Sequence, residues 1–139
     1  MLSLFKTQIH DTYVNISLLV LRLGIGALML THGWPKLLRL ASCSEITFPD
    51  PLGIGSMASL IMATLAEAVG SLMIMLGLGT RFASVSLIFT MIVAVFIVHA
   101  DDPFARKELG LLYLLVYVVL LLMGSGKFSI DKYINDRYM

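Results

Sequence analysis

The sequence predicts an all-α membrane protein, namely a four-transmembrane-helix bundle with its N- and C-termini on the same side. Two observations support this fold class. Hydrophobic residues make up 58% of the 139 residues and charged residues only 14%, whereas soluble domains contain about a quarter charged residues. The apolar residues also form four long stretches, and a membrane-spanning helix needs roughly 20 such residues.

The four predicted transmembrane helices form a single domain, residues 1–139, and cover about residues 16–38, 54–78, 82–99 and 103–123. Pro35 is expected to bend or end the first helix, because a proline removes a helical hydrogen bond. The short turn 77–81 predicts that the second and third helices are antiparallel neighbours. Asp102 suits the N-cap of the fourth helix, and Pro103 suits its first helical position.

Two further segments lie outside the four helices. Residues 129–138 predict a short interfacial helix at the C-terminus, capped by Ser129. The longest connection, residues 39–53, contains the one cysteine of the sequence, Cys43. A single thiol forms neither an internal disulfide nor a CxxC redox pair. The net charge of +1 gives no reason to expect a nucleic-acid partner.

Four helices place both termini at one membrane face, and the distribution of Lys and Arg predicts which face this is. The face with the termini holds Lys6, Arg81, Lys127, Lys132 and Arg137, and the opposite face holds Lys36, Arg39, Arg106 and Lys107. Cytoplasmic segments carry an excess of Lys and Arg. The slight excess at the first face predicts cytoplasmic termini.

Two charged residues, Arg22 and Glu67, lie deep inside the first and second predicted helices. An unpaired charge at mid-bilayer is costly, so such residues face the bundle interior and find partners. The sequence therefore predicts an intramembrane ion pair between Arg22 and Glu67, which either locks the bundle or handles protons or a substrate. Helical spacing also places one stripe, a candidate polar track, on the inner face of the first helix: Arg22, Gly26, Met29, Gly33 and Lys36.

Four polar residues converge at the membrane face opposite the termini. The first and third helices end there and the second and fourth begin there, which brings together His32, Lys36, His99 and Glu108. This cluster is the candidate ligand-binding site. Alternatively, Lys36 reaches the lipid headgroups and the two histidines are interfacial residues with satisfied hydrogen bonds. No HxxxH spacing points to a metal site, so no metal is expected.

Ser86 and Thr90 share a face of the third predicted helix but are not expected to extend this cluster. Nine residues separate Thr90 from His99, and at roughly 100° per residue this leaves the two side chains about half a turn out of phase. The predicted ligand site therefore excludes both Ser86 and Thr90.

Several short motifs occur in an order that resembles the DoxX family of small bacterial membrane proteins. The run Arg22-Leu23-Gly24 followed by His32-Gly33-Trp34-Pro35-Lys36 is similar to the opening signature of that family. Further matches along the chain are Glu67, the turn Gly77-Leu78-Gly79-Thr80-Arg81, His99, Lys107-Glu108 and the closing run Gly124-Ser125-Gly126-Lys127-Phe128-Ser129-Ile130-Asp131. Each motif is short, and their order over nearly the whole chain gives the resemblance its specificity.

The resemblance implies a membrane subunit or anchor of a quinone-linked redox assembly in the bacterial inner membrane. Its expected partners are the lipid bilayer, soluble or membrane redox proteins and other copies of the chain. Quinone is the candidate cofactor, at the His32 and His99 end. An accessory subunit is expected more than a self-sufficient enzyme. Two alternatives stay open: a small-molecule or ion transporter that uses the polar track, and a membrane scaffold with no chemistry of its own.

Overall fold

The computed structural model describes residues 10–42 and 46–138, and within those residues it contains helices and no strands. The helices are α1 (Asp11–Ala41), α2 (Ser56–Leu76), α3 (Thr80–Val98), α4 (Phe104–Met123) and α5 (Ile130–Tyr138). Each corresponds to a predicted helix. Cys43 lies outside the described residues.

Two of the helices contain a π-helical turn, in which the backbone bonds connect residues five apart. In α2 this turn covers Leu65–Val69, and in α3 it covers Ala94–Val98. A π-helical turn holds one residue more than an α-helical turn and is frequent at functional sites. The two turns therefore change which residues of α2 and α3 face the interior.

Three helices of the described residues, α1, α2 and α3, are long and apolar enough to cross a membrane. Helix α4 has 20 residues, but Arg106, Lys107 and Glu108 follow directly on its start. Its apolar part begins only after these charges. The fourth transmembrane helix therefore stays a prediction.

The helix ends decide one expectation and correct another. Of the two outcomes expected at Pro35, an end of the helix is excluded, because α1 continues to Ala41. Pro103, rather than Asp102, is the N-cap residue of α4, with φ −57° and ψ 151°, and among the described residues no side chain caps this helix. The carboxylate of Asp102 instead bonds the ring of His99 and the guanidinium of Arg106, so it is not free to bind the backbone of α4.

Helices α1 and α2 touch through their backbones, because small residues face each other. A Cβ atom at Gly33 would lie 2.6 Å from the backbone nitrogen of Ala68, and one at Gly26 would lie 3.0 Å from the carbonyl oxygen of Ser71. Small residues allow such close approach in membrane bundles. The predicted stripe on α1 therefore faces inward, but the helix contact leaves no open track at Gly26 and Gly33.

The turn between α2 and α3 reverses the chain within a few residues. Gly77 and Gly79 have φ of +68° and +56°, a left-handed conformation that glycine adopts without steric cost. The amide of Leu78 donates to the carbonyl oxygen of Met73 at 2.9 Å and satisfies the end of α2. This turn confirms that α2 and α3 are neighbours.

The start of α5 is bonded to that turn. The Asp131 carboxylate accepts hydrogen bonds from the amides of Gly79 at 2.6 Å and Thr80 at 3.1 Å, and the Asp131 amide donates to the carbonyl oxygen of Gly77 at 2.9 Å. The predicted cap of α5 is confirmed, because the amide of Lys132 donates to the Ser129 hydroxyl at 3.2 Å. The C-terminal segment therefore covers the end of the bundle where α2 and α3 meet.

Candidate ligand-binding site

The buried carboxylate of Glu67 forms an ion pair with Lys36, and not with Arg22 as predicted. Glu67 is 4% exposed, and its Oε1 accepts a hydrogen bond from Lys36 Nζ. Gly33, one turn before Lys36, contacts the backbone at Glu67. Helical side chains slant toward the N-terminus of their helix, so the Lys36 side chain extends back to the level of Glu67.

Arg22 is fully buried and belongs to the other end of the bundle. Its Nη2 donates a hydrogen bond to the carbonyl oxygen of Phe128, its guanidinium lies against Gly77, and the Asp131 carboxylate attracts it electrostatically. The prediction that Arg22 pairs with Glu67 is therefore wrong, because Arg22 binds the C-terminal segment instead. The error arose because the sequence did not reveal that the C-terminal segment folds back onto Arg22.

Two cavities meet at the Lys36–Glu67 ion pair. The larger cavity, about 360 Å³, lies between α2 and α3 beneath the loop that precedes α2. The smaller cavity, about 230 Å³, lies between α1, α3 and α4. Four residues line both cavities: Lys36, Glu67, Ala94 and His99. The ion pair and His99 thus form a polar group between two spaces.

Small side chains on α2 create the larger cavity. Ser59, Ala63 and Ala66 face it on one side, and Phe89 and Val93 of α3 face it on the other. Its wall is apolar apart from the ion pair, His99 and a few hydroxyl groups. Binding sites for small molecules combine mostly apolar walls with a few polar groups that fix the orientation of the ligand.

The loop over the larger cavity is held by hydrogen bonds of Asp50. The Asp50 carboxylate accepts hydrogen bonds from the amides of Gly55 at 2.8 Å and Ile54 at 3.0 Å, and from the Ser59 hydroxyl at 2.9 Å. These bonds, chiefly the one from Gly55, hold the pKa of Asp50 below its usual value. Phe48 of this loop lies 5.7 Å from Lys36 Nζ, within the range of a cation–π contact.

Ser86 and Thr90 line the larger cavity together with His99, which corrects the prediction that they lie apart from the cluster. The π-helical turn of α3 explains the difference, because its extra residue rotates the following residues back by about 100°. The amide of His99 takes part in this turn and donates to the carbonyl oxygen of Ala94 at 2.9 Å. The half-turn offset expected for a regular helix is thereby reduced from about 180° to about 80°.

His99 is oriented by Asp102 in the loop between α3 and α4. The His99 Nδ1 and the Asp102 Oδ2 are 2.7 Å apart, and the pKa of Asp102 is held low chiefly by its hydrogen bond with His99. Arg106 adds a second contact to Asp102 at 3.4 Å. This arrangement fixes the ring at the point where both cavities meet.

The smaller cavity has mainly apolar walls, with several polar and aromatic side chains among them. Arg106, Gly110 and Tyr113 line it from α4, and His32 lines it from α1. The rings of His32 and Tyr113 meet edge to face at a centroid distance of 5.8 Å, and Tyr113 stacks on Tyr117 at 6.1 Å. Since Arg106 and His32 are exposed, they mark the mouth of this cavity.

The structure brings together three of the four residues of the predicted cluster. His32, Lys36 and His99 line the smaller cavity, whereas Glu108 is exposed and lines neither cavity. The cavity-facing residues of α4 follow helical spacing and are Arg106, Leu109, Gly110 and Tyr113. Glu108 lies off that face of the helix. Glu67, predicted to lie deeper with Arg22, supplies the carboxylate of the cluster instead.

These features define a class: an all-helical membrane protein with an apolar cavity that ends on a buried ion pair. The model of the DoxX family matches residues 17–100, a range that includes α2, α3, the ion pair and His99. The chain belongs to the DoxX family.

Two relatives from Haemophilus influenzae, both described only as uncharacterized proteins, match most of the chain. One is 31% identical over 129 residues, which cover 88% of this chain and 93% of the relative. The other is 31% identical over 131 residues, which cover 89% of this chain and 87% of the relative. No solved structure matches the chain.

Proposed function

We propose that the larger cavity binds a quinone-type ring and that the protein is a membrane subunit or anchor of a redox assembly. The observation that carries the proposal is the cavity itself, about 360 Å³ with apolar walls and the Lys36–Glu67 pair at its inner end. A quinone has a flat apolar body and carbonyl oxygens at its edge. Lys36 and His99 offer hydrogen-bond donors to one such oxygen.

The surroundings of the cavity also suit a ligand that arrives from the bilayer. Met62 of α2 and Phe89 of α3 line it and are about half exposed. Because these side chains face lipid when α2 and α3 span the membrane, the isoprenoid tail of a quinone has an apolar exit between the two helices. The redox partners follow from the family resemblance, which implies soluble or membrane redox proteins in the bacterial inner membrane.

The proposal is tested by titrating the purified protein with a short-chain ubiquinone and measuring binding by calorimetry. Ala63→Leu fills the larger cavity and should abolish binding, whereas Ala27→Leu on the exposed face of α1 should not change it. His99→Ala should weaken binding by roughly tenfold, the loss of about one hydrogen bond. His10→Ala, at an exposed histidine before α1, is the matched control.

Binding that is equally strong in Ala63→Leu, or no binding to the native protein, would contradict the proposal. The partners are identified by copurification from native membranes, with mass spectrometry of proteins and bound small molecules. If His99→Ala leaves the activity of a copurified redox partner unchanged, the scaffold alternative is favoured. The transporter alternative requires a continuous open path, and the backbone contact at Gly33 does not favour one.

A further inference from the structure

The Glu67 side chain has one carboxylate oxygen that the ion pair does not use. Oε1 is bonded to Lys36, whereas Oε2 is buried and has no hydrogen-bond partner within the described residues. A buried carboxylate oxygen without a partner costs free energy comparable to a lost hydrogen bond, unless water or a ligand satisfies it. Glu67 lines both cavities, so a partner for Oε2 can come from either.

The smaller cavity has the features of a chamber for water. Its volume of about 230 Å³ exceeds the roughly 30 Å³ that each molecule occupies in liquid water. Polar groups line it from every helix that forms it: His32 and Lys36 from α1, His99 from α3, and Arg106 and Tyr113 from α4. Water in a protein cavity needs two to four polar partners, and this chamber offers them along its length.

The chamber also has a direction. Its mouth is marked by the exposed residues His32 and Arg106, and its inner wall is formed by Glu67, which is 4% exposed. The larger cavity, with its apolar walls, lies on the other side of the same carboxylate. Glu67 is therefore in contact with a space that contains several polar groups and opens near a charged surface, and with a more apolar space suited to a ligand.

We infer that the smaller cavity is a water-filled proton entry that links the surface at His32 and Arg106 to Glu67, the proton-exchanging group of the ligand site. A hydronium ion at the mouth gives its excess proton to the water molecules of the chamber, and the last water forms the O–H bond at Oε2 as it receives a proton from its neighbour, so each water stays neutral. That O–H bond breaks when the proton passes to an oxygen of the quinone, whose electrons come from the redox partner of the proposed assembly, and Oε2 is again a carboxylate oxygen. The ligand in this inference rests on the proposed function, whereas the water path does not depend on it.

The water path is tested with cysteine probes in a Cys43→Ser background and a small cationic methanethiosulfonate reagent. Val95→Cys places a thiol in the smaller cavity, and Leu87→Cys places one on the same helix in the core, where it lines neither cavity. Only the thiolate reacts, and an apolar environment raises a thiol pKa. A rise of about two units makes Leu87→Cys react roughly a hundredfold more slowly than Val95→Cys.

Blocking the path provides the second arm. Gly110 lines only the smaller cavity, and a Cβ atom there would lie 2.5 Å from Val95 Cγ2. Gly110→Leu should therefore reduce the reaction of a Met29→Cys probe, which lies in the same cavity on α1, to the rate of Leu87→Cys. Gly24→Leu, at a glycine with open space around it, should leave that rate unchanged. Gly110→Ala serves if the leucine variant does not fold.

The proton step is read by infrared spectroscopy after a drop in pH, from the carboxyl band that forms when the Glu67 carboxylate takes up a proton and that Glu67→Gln removes. This band should form quickly in the native protein and slowly in the Gly110→Leu variant. Equal labelling of Val95→Cys and Leu87→Cys, or a band whose formation Gly110→Leu does not slow, would overturn the inference. Quinone titration is a separate readout: absence of binding with normal labelling rejects the proposed function alone, and the reverse result rejects the proton entry alone.

Discussion

Glu67 places a negative charge where almost no solvent reaches, and its stability there depends on one partner. Lys36 comes from the neighbouring helix, and 26% of its side chain is exposed. Removing one member of a buried pair leaves an uncompensated charge, which costs more than the pair itself contributes. The packing of α1 against α2 therefore depends strongly on the Lys36–Glu67 ion pair.

Lys36→Met tests this dependence. The variant should lower the free energy of unfolding by about 3 kcal/mol, because the Glu67 carboxylate loses its counter-charge in a buried position. The double variant Lys36→Met with Glu67→Met should recover most of the loss. Unfolding is followed by helical circular dichroism in a denaturing detergent titration.

The matched control is Lys132→Met, which breaks the exposed pair with Asp136 on α5. Exposed ion pairs contribute little, so this variant should unfold like the native protein. A Lys36→Met protein as stable as the native one would show that the pair does not hold α1 and α2 together.

At the scale of the helices, the sequence predicted well where each helix lies in the chain. It predicted less well which residues of each helix face the interior. Four long apolar stretches were enough to locate α1 to α4, because length and composition decide which segments become helices in a bilayer. The inward stripe on α1 followed correctly from helical spacing. The π-helical turns could not be predicted in this way, because no local sequence pattern indicates an extra residue in a helical turn. That is why Ser86 and Thr90 were placed on the wrong face.

The partner of Glu67 was missed for a related reason. Arg22 and Lys36 lie on the same stripe of α1, so spacing alone allowed either to reach α2. What decides is the contact of Gly33 with the backbone at Glu67 and the return of Phe128 onto Arg22. Both are contacts between residues far apart in the chain, which a reading of local periodicity does not supply.

Gly33→Ala tests the close approach of α1 and α2. The added methyl group would meet the backbone of Ala68 at about 2.6 Å, and the two helices must move apart to admit it. We expect a loss of about 1–3 kcal/mol in the free energy of unfolding, the usual cost of overpacking. The measurement is the same detergent titration.

Gly24→Ala is the control, because a Cβ atom at that position meets nothing within 4 Å. Alanine favours a helix over glycine by up to about 1 kcal/mol, so this variant should be slightly more stable than the native protein. Equal effects of the two substitutions would mean that α1 and α2 do not touch at Gly33.

The loop over the larger cavity should respond to acid through Asp50. Hydrogen bonds hold the pKa of Asp50 below its usual value of 3.8, so its stabilising effect is complete above that pH and is lost as the pH falls through the lowered pKa. Pepsin should therefore cleave residues 46–55 slowly at pH near 5 and faster in stronger acid.

Asp50→Asn separates this effect from the pH dependence of pepsin itself. The Ile54 and Gly55 amides donate to different oxygens of Asp50. Asparagine has only one oxygen that accepts hydrogen bonds in their place, so both bonds cannot form and the variant loop should be cleaved readily at every pH. The ratio of variant to native cleavage should approach one in strong acid. A ratio that does not change with pH would contradict the role of the Asp50 carboxylate in holding the loop.

For the whole molecule, we predict that α4 crosses the membrane as the fourth transmembrane helix. Its 20 residues correspond to about 30 Å at 1.5 Å per residue, the thickness of a hydrocarbon core. Arg106 and Lys107 lie within a turn of its start, from where long side chains reach the headgroups. Helix α4 also packs along α3, as an antiparallel membrane-spanning neighbour would.

Reporter fusions decide the number of crossings. Green fluorescent protein, which fluoresces only when it folds in the cytoplasm, is fused at either terminus, and alkaline phosphatase, which is active only outside it, is fused after Asp101 in the loop between α3 and α4. We expect fluorescence at both termini and phosphatase activity after Asp101, because four crossings return the chain to its starting side and the bias of Lys and Arg favours the cytoplasm. If α4 lies on the surface instead, the C-terminal fusion stays on the side of Asp101. Three crossings would be established if green fluorescent protein at the C-terminus does not fluoresce and alkaline phosphatase at the C-terminus is active. The smaller cavity would then lie at the edge of the bundle.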